Sequence, residues 1–510
     1  MLSGTFWFVI APPLVGGAAL TFFVELLLRP APGFTRPWRA VAAHLGLWTL
    51  AFGIVLAVTQ RPYFSALLVL GELLIFSLVS NEKTHALREP FVFADFDAIR
   101  EVLRHPRLFL PYFGVGRALG GLAAFCIVVY LGIALEDGLP ARTGWPAFGA
   151  GVALLAAGGA GLLWLGTPRP LALSFDAATD LRHLGFPASL WYYALAERAP
   201  VATTSRFQVA NAGSATRDQP HIVVVQSESF FDARRLYSGI NLSVLKQFDA
   251  IREAAVHHGR LEVPAWGGNT ARSEFAFLTG YGSHEIGVHR FNPHRRLAQR
   301  GVPTIAGFLK RAGYRTVCVH PYPVSFYSRD TAYPAFGFDR FVDLAHFRDA
   351  ERYGPYVSDK AVADVACALL ADAGQPTLLF VITMENHGPL HLERVAPGDI
   401  ERLYTEPPPA GFDDLKVYLR QLANADRMLH GLREHLTRLP QDAWLCWYGD
   451  HVPILPKVYR AMGYPDGRTD YFIWGKGRAP QDDAQRDLRV DELGVLLLEQ
   501  AGLLPGYENR

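Results

Sequence analysis

The chain has 510 residues, of which 50% are hydrophobic and only 19% charged, and a mean hydropathy of +0.12, too apolar for a purely soluble enzyme. A formal net charge of +1 without a basic stripe gives no footprint for a nucleic acid, and no nucleic-acid partner is expected. The four cysteines, Cys126, Cys318, Cys367 and Cys446, lie in apolar runs without metal-site spacing, which reads as free thiols rather than a disulfide frame.

The apolar excess sits at one end. Five segments, Phe6–Leu28, Ala40–Thr59, Tyr63–Val79, Ala118–Leu135 and Trp145–Leu165, approach the ~20 apolar residues that a spanning helix needs. Phe6–Leu28 is too long for a signal peptide and lacks a small-residue cleavage site, so it is expected to be retained. Glu25 and Glu72 are single acids within these segments and receive a structural reading, as side chains reaching an interface. Residues 1–167 are therefore expected to form a five-helix transmembrane domain.

Loop charge and chemistry disagree about orientation. The first connection carries Arg29, Arg36 and Arg39, and the third carries Lys83, Arg88, Arg100, Arg104 and Arg107. By the positive-inside tendency both stay in the cytoplasm, which would place the C-terminal part there too. The third loop also holds Glu82, Glu89, Asp95, Asp97 and Glu101 and reads partly as an interfacial helix.

Residues 168–219 read as a short helix around Pro187–Leu195 followed by a polar linker, Ala202–Gln219. Residues 220–510 then alternate short apolar runs with helical patterns, the signature of an α/β domain with a mostly parallel sheet. The expected strands are His221–Gln226, Arg315–Val319, Thr377–Thr383, Ala443–Tyr448 and Tyr471–Trp474, and the expected helices are Thr304–Ala312, Ala361–Ala373 and Leu415–Leu439.

Four of these strands run into polar residues: Glu228, His320, Glu385-Asn386-His387, and Gly449-Asp450-His451. Ligands in open α/β sheets bind beyond the carboxyl ends of the strands, so four such endings converge on one edge. Carboxylates, an imidazole and a hydroxyl suit a divalent cation held mainly by oxygen. The hydroxyl is Thr270, in Gly267-Gly268-Asn269-Thr270-Ala271-Arg272-Ser273-Glu274-Phe275, where a helix start offers either a cap or a phosphate seat beside a nucleophile. His387 would stand by a phosphoryl group as a donor. Arg329 would either grip a phosphate through two parallel N–H bonds or form a surface ion pair with Asp330 or a neighbour.

Taken together, Gln226–Phe230, Asn269–Phe275, His320 with Tyr327-Ser328-Arg329, Asn386–Pro389 and Gly449–His451 resemble the lipoteichoic acid synthase and phosphoglycerol transferase group of the alkaline phosphatase/sulfatase superfamily. The resemblance covers the whole chain, since that group also has five N-terminal spans before an extracytoplasmic catalytic domain. It implies a sulfatase-like α/β fold, with Glu228, Thr270, Asp450 and His451 as metal ligands and manganese as the usual ion, magnesium or zinc being alternatives. It further implies Thr270 as nucleophile, His387 as active-site histidine, and His320 and Arg329 as holders of a glycerol phosphate head group. Tyr327 stands in that head-group set where the family pattern has tryptophan. Sulfatase chemistry proper needs a Cys or Ser in a C/S-x-P-x-R pattern, which Thr270-Ala271-Arg272 does not match. Phosphoethanolamine transferases share the threonine and the spans but usually carry several disulfides, which three cysteines in this domain cannot make.

The resulting expectation is a transferase in a bacterial inner membrane with its catalytic domain outside the cytoplasm. It takes phosphoglycerol from phosphatidylglycerol and passes it, through phosphothreonine, to a glycan or polyglycerol phosphate. Phosphoethanolamine transfer is the alternative within enzymes, and a catalytically inactive lipid- or glycan-binding assembly factor is the alternative outside them.

Overall fold

The structure, a computed structural model, describes residues 4–97, 99, 115–201, 205–208, 219–394, 398–408 and 410–505. It divides into two compact units, Met1–Pro200 and Val201–Arg510.

The first unit is built on five long helices, α1 (Gly4–Glu25), α2 (Trp38–Thr59), α3 (Pro62–Leu87), α4 (Val115–Leu135) and α5 (Trp145–Gly166), all long and apolar enough to cross a membrane. Hydrocarbon supplies no hydrophobic drive between helices, so close packing must hold them together. Helices α2 and α5 meet through glycines: a Cβ on Gly46 would lie 2.8 Å from the Leu163 backbone N, and one on Gly166 would lie 2.5 Å from the Ala43 backbone N. Glu25, at the end of α1, is fully buried and accepts bonds from Arg36 and from the Phe186 backbone N–H, each 2.5 Å long. This acid is structural, as expected, but it is buried against Arg36 and the Phe186 N–H instead of reaching an interface. Lys83 is likewise paired, with Glu89 at 2.7 Å and Asp95 at 2.6 Å.

Two short helices, α6 (Ala177–Leu184) and α7 (Phe186–Ala196), complete this unit. The Tyr192 hydroxyl of α7 donates to the Gly166 carbonyl (2.7 Å), and the Trp191 indole N–H donates to Thr167 Oγ1 (3.1 Å), tying the helix to the end of α5. The helix-like piece Pro187–Leu195 thus belongs to α7. Most of the polar stretch Ala202–Gln219 and the basic residues Arg100, Arg104 and Arg107 lie outside the described residues.

The second unit is an α/β domain on an eight-stranded sheet. Its strands are β1 (His221–Ser227), β2 (His257–Glu262), β3 (Arg315–Val319), β4 (Arg340–Val342), β7 (Thr377–Ile382), β8 (Ala443–Gly449), β9 (Thr469–Gly475) and β10 (Leu488–Arg489); β5 (Arg352–Tyr353) and β6 (Tyr356–Val357) form a separate hairpin. The order is β10-β2-β9-β8-β1-β7-β3-β4, parallel except where β9 pairs with β2 and β8. The central strands are buried on both faces, which explains their unbroken apolar runs. Val223, Val225, Leu379, Val381, Leu445 and Trp447 face one core, with the long helix Asp413–Arg438. Ile222, Val224, Leu378, Phe380, Cys446 and Tyr448 face the other, with the helix Thr270–Thr279.

The five expected strands and three expected helices form, with ends shifted by one or two residues. The sequence reading misses three strands of the sheet, the short edge strands β4 and β10 and also β2, whose His257-His258-Gly259-Arg260-Leu261-Glu262 has no apolar run because it is only partly buried.

If glycine contacts hold α2 against α5, Gly46→Leu should destabilise the first unit by about 1–3 kcal/mol through overpacking. Gly158→Leu, where a Cβ meets nothing within 4 Å, should not. Thermal unfolding of the detergent-solubilised full chain would separate the two, and equal melting temperatures would refute the contact.

Candidate active site

Strand register assembles the site. In the parallel pairing Ser227 lies opposite Gly449, so Glu228 and Asp450 emerge side by side. Gln226 lies opposite Ile382 and Val381 opposite Val319, which carries the same edge on to Thr383 and His320. A Cβ on Gly449 would sit 1.9 Å from the Phe230 carbonyl O, so only glycine lets the two strand ends approach this closely.

Glu228, Asp450 and His451 are buried, with ligand atoms all within 4.8 Å of one another. His451 Nε2 stands 3.5 Å from Glu228 Oε1 and 3.4 Å from Asp450 Oδ2. Ser229 braces both acids: its hydroxyl donates to Glu228 Oε1 (2.9 Å) and its backbone N–H to Asp450 Oδ1 (2.8 Å). His451 Nδ1 donates to the Val452 carbonyl (3.0 Å), which leaves Nε2 with a free lone pair. Burial, and then the neighbouring Glu228, push the Asp450 carboxyl well above the usual carboxylate range. Asp450 Oδ2 and His451 Nε2 are buried without a hydrogen-bond partner among the described residues. Two acids and an imidazole lone pair aimed together with unsatisfied atoms are what a divalent cation requires, so the residues fit a metal.

Thr270 opens the helix Thr270–Thr279 as its first residue. Asn269 takes the preceding cap position with φ 63° and makes no side-chain cap bond. The Thr270 side chain lies beside the Asp450 carboxyl and is among the neighbours that offset part of the rise in that group's pKa. The loop before it is tied to the metal-ligand loop by Gly267 N–H donating to the Val452 carbonyl (3.1 Å). Seven non-glycine residues among those described have positive φ, and Ser229, Asn269, Tyr327 and Ser328 of these flank candidate site residues. That concentration of disfavoured backbone is usual where geometry is held for function.

Arg329 has a partner the sequence reading overlooks. It is neither a surface residue nor paired with Asp330: it is buried and donates from Nη2 to Glu274 Oε2 at 2.7 Å and from Nε to both Glu274 oxygens at 3.3 Å. Burial alone would lift the Glu274 carboxyl, but Arg329 overrides it and holds the group at about 2. Glu274 lies four residues after Thr270 on one helix, and that spacing is the signal that could have placed both on one side. His320 is buried with both ring nitrogens engaged, Nδ1 donating to the Ile382 carbonyl (3.2 Å) and Nε2 accepting from Arg329 Nη1 (3.1 Å). Burial and then Arg329 lower its pKa to about 3. Tyr327 lies under the Arg329 guanidinium, 5.3 Å from the ring centroid. His320, Tyr327 and Arg329 thus form one connected group.

His387 is half-buried, and its Nδ1 lies 2.6 Å from the Gly388 carbonyl and 3.0 Å from the Tyr356 hydroxyl. Glu385 faces elsewhere: it accepts from the Asp359 backbone N–H (2.7 Å) and from the Asn424 amide, and it is not part of the metal-ligand group.

The sulfatase family model matches residues 220–503. The chain belongs to the sulfatase family. Over 493 residues this family member is 31% identical to the capsular polysaccharide biosynthesis protein RkpI of Rhizobium meliloti (strain 1021), covering 90% of this chain and 87% of that protein. It is 27% identical over 185 residues to lipoteichoic acid synthase 2 of Bacillus subtilis (strain 168), covering 34% of this chain and 27% of that one. Among solved structures it is similar in fold to the integral membrane protein lipooligosaccharide phosphoethanolamine transferase A of Neisseria meningitidis, with a TM-score of 0.54 and 12% identity over 95% of each chain. With its five long apolar helices, this sulfatase-family chain is a multi-pass membrane protein.

Glu274→Gln should destabilise the second unit by about 3–5 kcal/mol, because it leaves a buried guanidinium without its counter-charge. Glu274→Gln with Arg329→Gln should recover part of the loss. Since the folded carboxyl titrates below its ordinary 4.5, its stabilisation is present above that value and lost as pH falls towards about 2. Denaturant titrations of the full chain at several pH values would check both, and a single variant as stable as wild type would discount the pair.

Proposed function

We propose that the chain is a membrane-anchored transferase that moves phosphoglycerol from phosphatidylglycerol to a hydroxyl of a glycan or of polyglycerol phosphate, through a phosphothreonine at Thr270. The observation that carries this reading is Thr270, placed at a helix start and beside the Asp450 carboxyl, where Asp450 Oδ2 and His451 Nε2 are buried without partners among the described residues. The five motifs shared with phosphoglycerol transferases supply the donor, and the relative named for capsular polysaccharide biosynthesis supports a glycan as acceptor.

In the first half-reaction Thr270 Oγ1 bonds to the lipid phosphorus, the phosphorus–oxygen bond to diacylglycerol breaks, and that oxygen leaves carrying a proton. In the second, the acceptor oxygen bonds to phosphorus, its proton departs, and Thr270 regains a hydroxyl. His387 is the residue assigned to these protons. The backbone N–H groups at the start of the Thr270 helix face phosphoryl oxygens. His320, Tyr327 and Arg329 form the wall for the glycerol head group; the Glu274 contacts leave Arg329 fixed in place rather than free to swing. When bound by Glu228, Thr270, Asp450 and His451, a divalent cation, manganese in this reading with magnesium or zinc as alternatives, supplies the charge that favours an ionised threonine oxygen.

Membranes containing the wild type should move head-group label from phosphatidylglycerol to a polar product, and mass spectrometry should find phosphoglycerol on the Thr270 peptide. Thr270→Ala and exhaustive chelation should each lower transfer by at least about a hundredfold, with manganese restoring the chelated enzyme. Label moving from phosphatidylethanolamine instead would replace the donor, and an active Thr270→Ala protein would remove the covalent mechanism.

The same reading places the catalytic unit on the extracytoplasmic side of a bacterial inner membrane, where a glycan acceptor is accessible. Burial of Arg36 against Glu25 and pairing of Lys83 with Glu89 and Asp95 reduce the free basic charge of the loops that argue otherwise. A reporter that needs export, fused after Gln219, should be active, and a fluorescent cytosolic reporter at the same site should stay dark; the opposite pair of results would reverse the orientation.

A further inference from the structure

We propose that Tyr356 is the positioning residue for His387, holding the imidazole in its Nδ1–H tautomer so that Nε2 is the ring atom left to exchange a proton with substrate. This rests on the reading of His387 as the group that handles protons in the transfer.

A close contact between atoms that cannot both be acceptors decides the tautomer. His387 Nδ1 lies 2.6 Å from the Gly388 carbonyl O. A carbonyl has no proton to give, and two lone pairs at that distance would repel, so Nδ1 must carry the proton. The Tyr356 hydroxyl lies 3.0 Å from Nδ1 and 3.0 Å from the same Gly388 oxygen. With Nδ1 protonated, the hydroxyl cannot donate to it, so it donates to the carbonyl and presents its own lone pair to the Nδ1 proton. All three contacts are satisfied by one arrangement of protons. Reversing the tautomer would set a bare Nδ1 against the carbonyl and leave that short contact repulsive.

The hydroxyl also fixes the plane of the ring. Tyr356 and His387 meet edge to face, with centroids 5.3 Å apart and planes at 60°. Tyr356 is itself held firmly: it is buried on the two-stranded hairpin β5–β6, next to the fully buried Val357, and the hairpin closes with Ser358 N–H donating to the Glu351 carbonyl (2.8 Å). The hairpin turns at Gly354, whose φ of 55° suits glycine. Nothing in the sequence around residue 356 signals this partnership, since 31 residues separate the two side chains.

The test uses the full chain in detergent with 15N-labelled histidine, the His387 signals being those lost in His387→Gln. In the wild type the neutral ring should show its proton on Nδ1. Tyr356→Phe removes the hydroxyl that holds the Gly388 carbonyl against Nδ1; with the carbonyl free to turn away, a population protonated on Nε2 should appear, and turnover should fall about tenfold or more while KM changes less than about twofold. A wild-type ring protonated on Nε2 would overturn the proposal. So would an unchanged tautomer in Tyr356→Phe, even with lower turnover, because the loss would then come from packing alone. Absence of transfer from phosphatidylglycerol by the wild type would sink the donor assignment but leave the tautomer measurement decisive.

Discussion

Two carboxylates and an imidazole buried within a few ångströms of one another are unstable unless a positive charge joins them, and this constraint organises the catalytic unit. Burying like charges in a low dielectric costs several kcal/mol per group, so every contact around Glu228, Asp450 and His451 serves to hold them together. The parallel register brings the acids abreast. Gly449 removes the side chain that would keep the strand ends apart, and Ser229 bonds to both acids at once from a left-handed backbone. His451 is turned by the Val452 carbonyl so that its lone pair points at the acids. Thr270, at its helix start, stands beside the Asp450 carboxyl.

A second charge system behind the first is closed instead of open. Glu274, Arg329 and His320 satisfy one another, and the low pKa of Glu274 records how completely its charge is compensated. Thr270 and Glu274 share one buried helix, so the position of Thr270 is coupled to this ion pair through a rigid element. The two sets differ: the open one keeps buried atoms without partners among the described residues, which fit a cation, while the closed one has its charges bonded to one another. Tyr356 extends this principle to His387, where hydrogen bonds to one carbonyl decide which nitrogen is available.

The apolar unit obeys different rules. With no water to release between helices, its close contacts come from glycine surfaces that let backbones touch, and its buried Glu25 is paired with Arg36.

By itself the sequence determined the five apolar helices, the α/β domain, the central strands and the polar residues at their ends. Each of those is written in local pattern: run length for a span, unbroken apolar residues for a two-sided strand, and a polar residue where the apolar run stops. It also identified the Thr270 segment, because glycines followed by a hydroxyl and an apolar helix form a contiguous signal. Only the tertiary structure decided how those ends pair, since register is a relation between strands far apart in the chain. It revealed that Arg329 belongs to Glu274 and not to Asp330, that Glu385 turns towards Asp359, and that Tyr356 reaches His387. Strand β2 escaped notice for a related reason: it is held mainly by backbone pairing to its neighbours, so its own side chains need not be apolar. A side chain's identity fixes the bonds it can make, but which partner it meets depends on the packing of the whole chain.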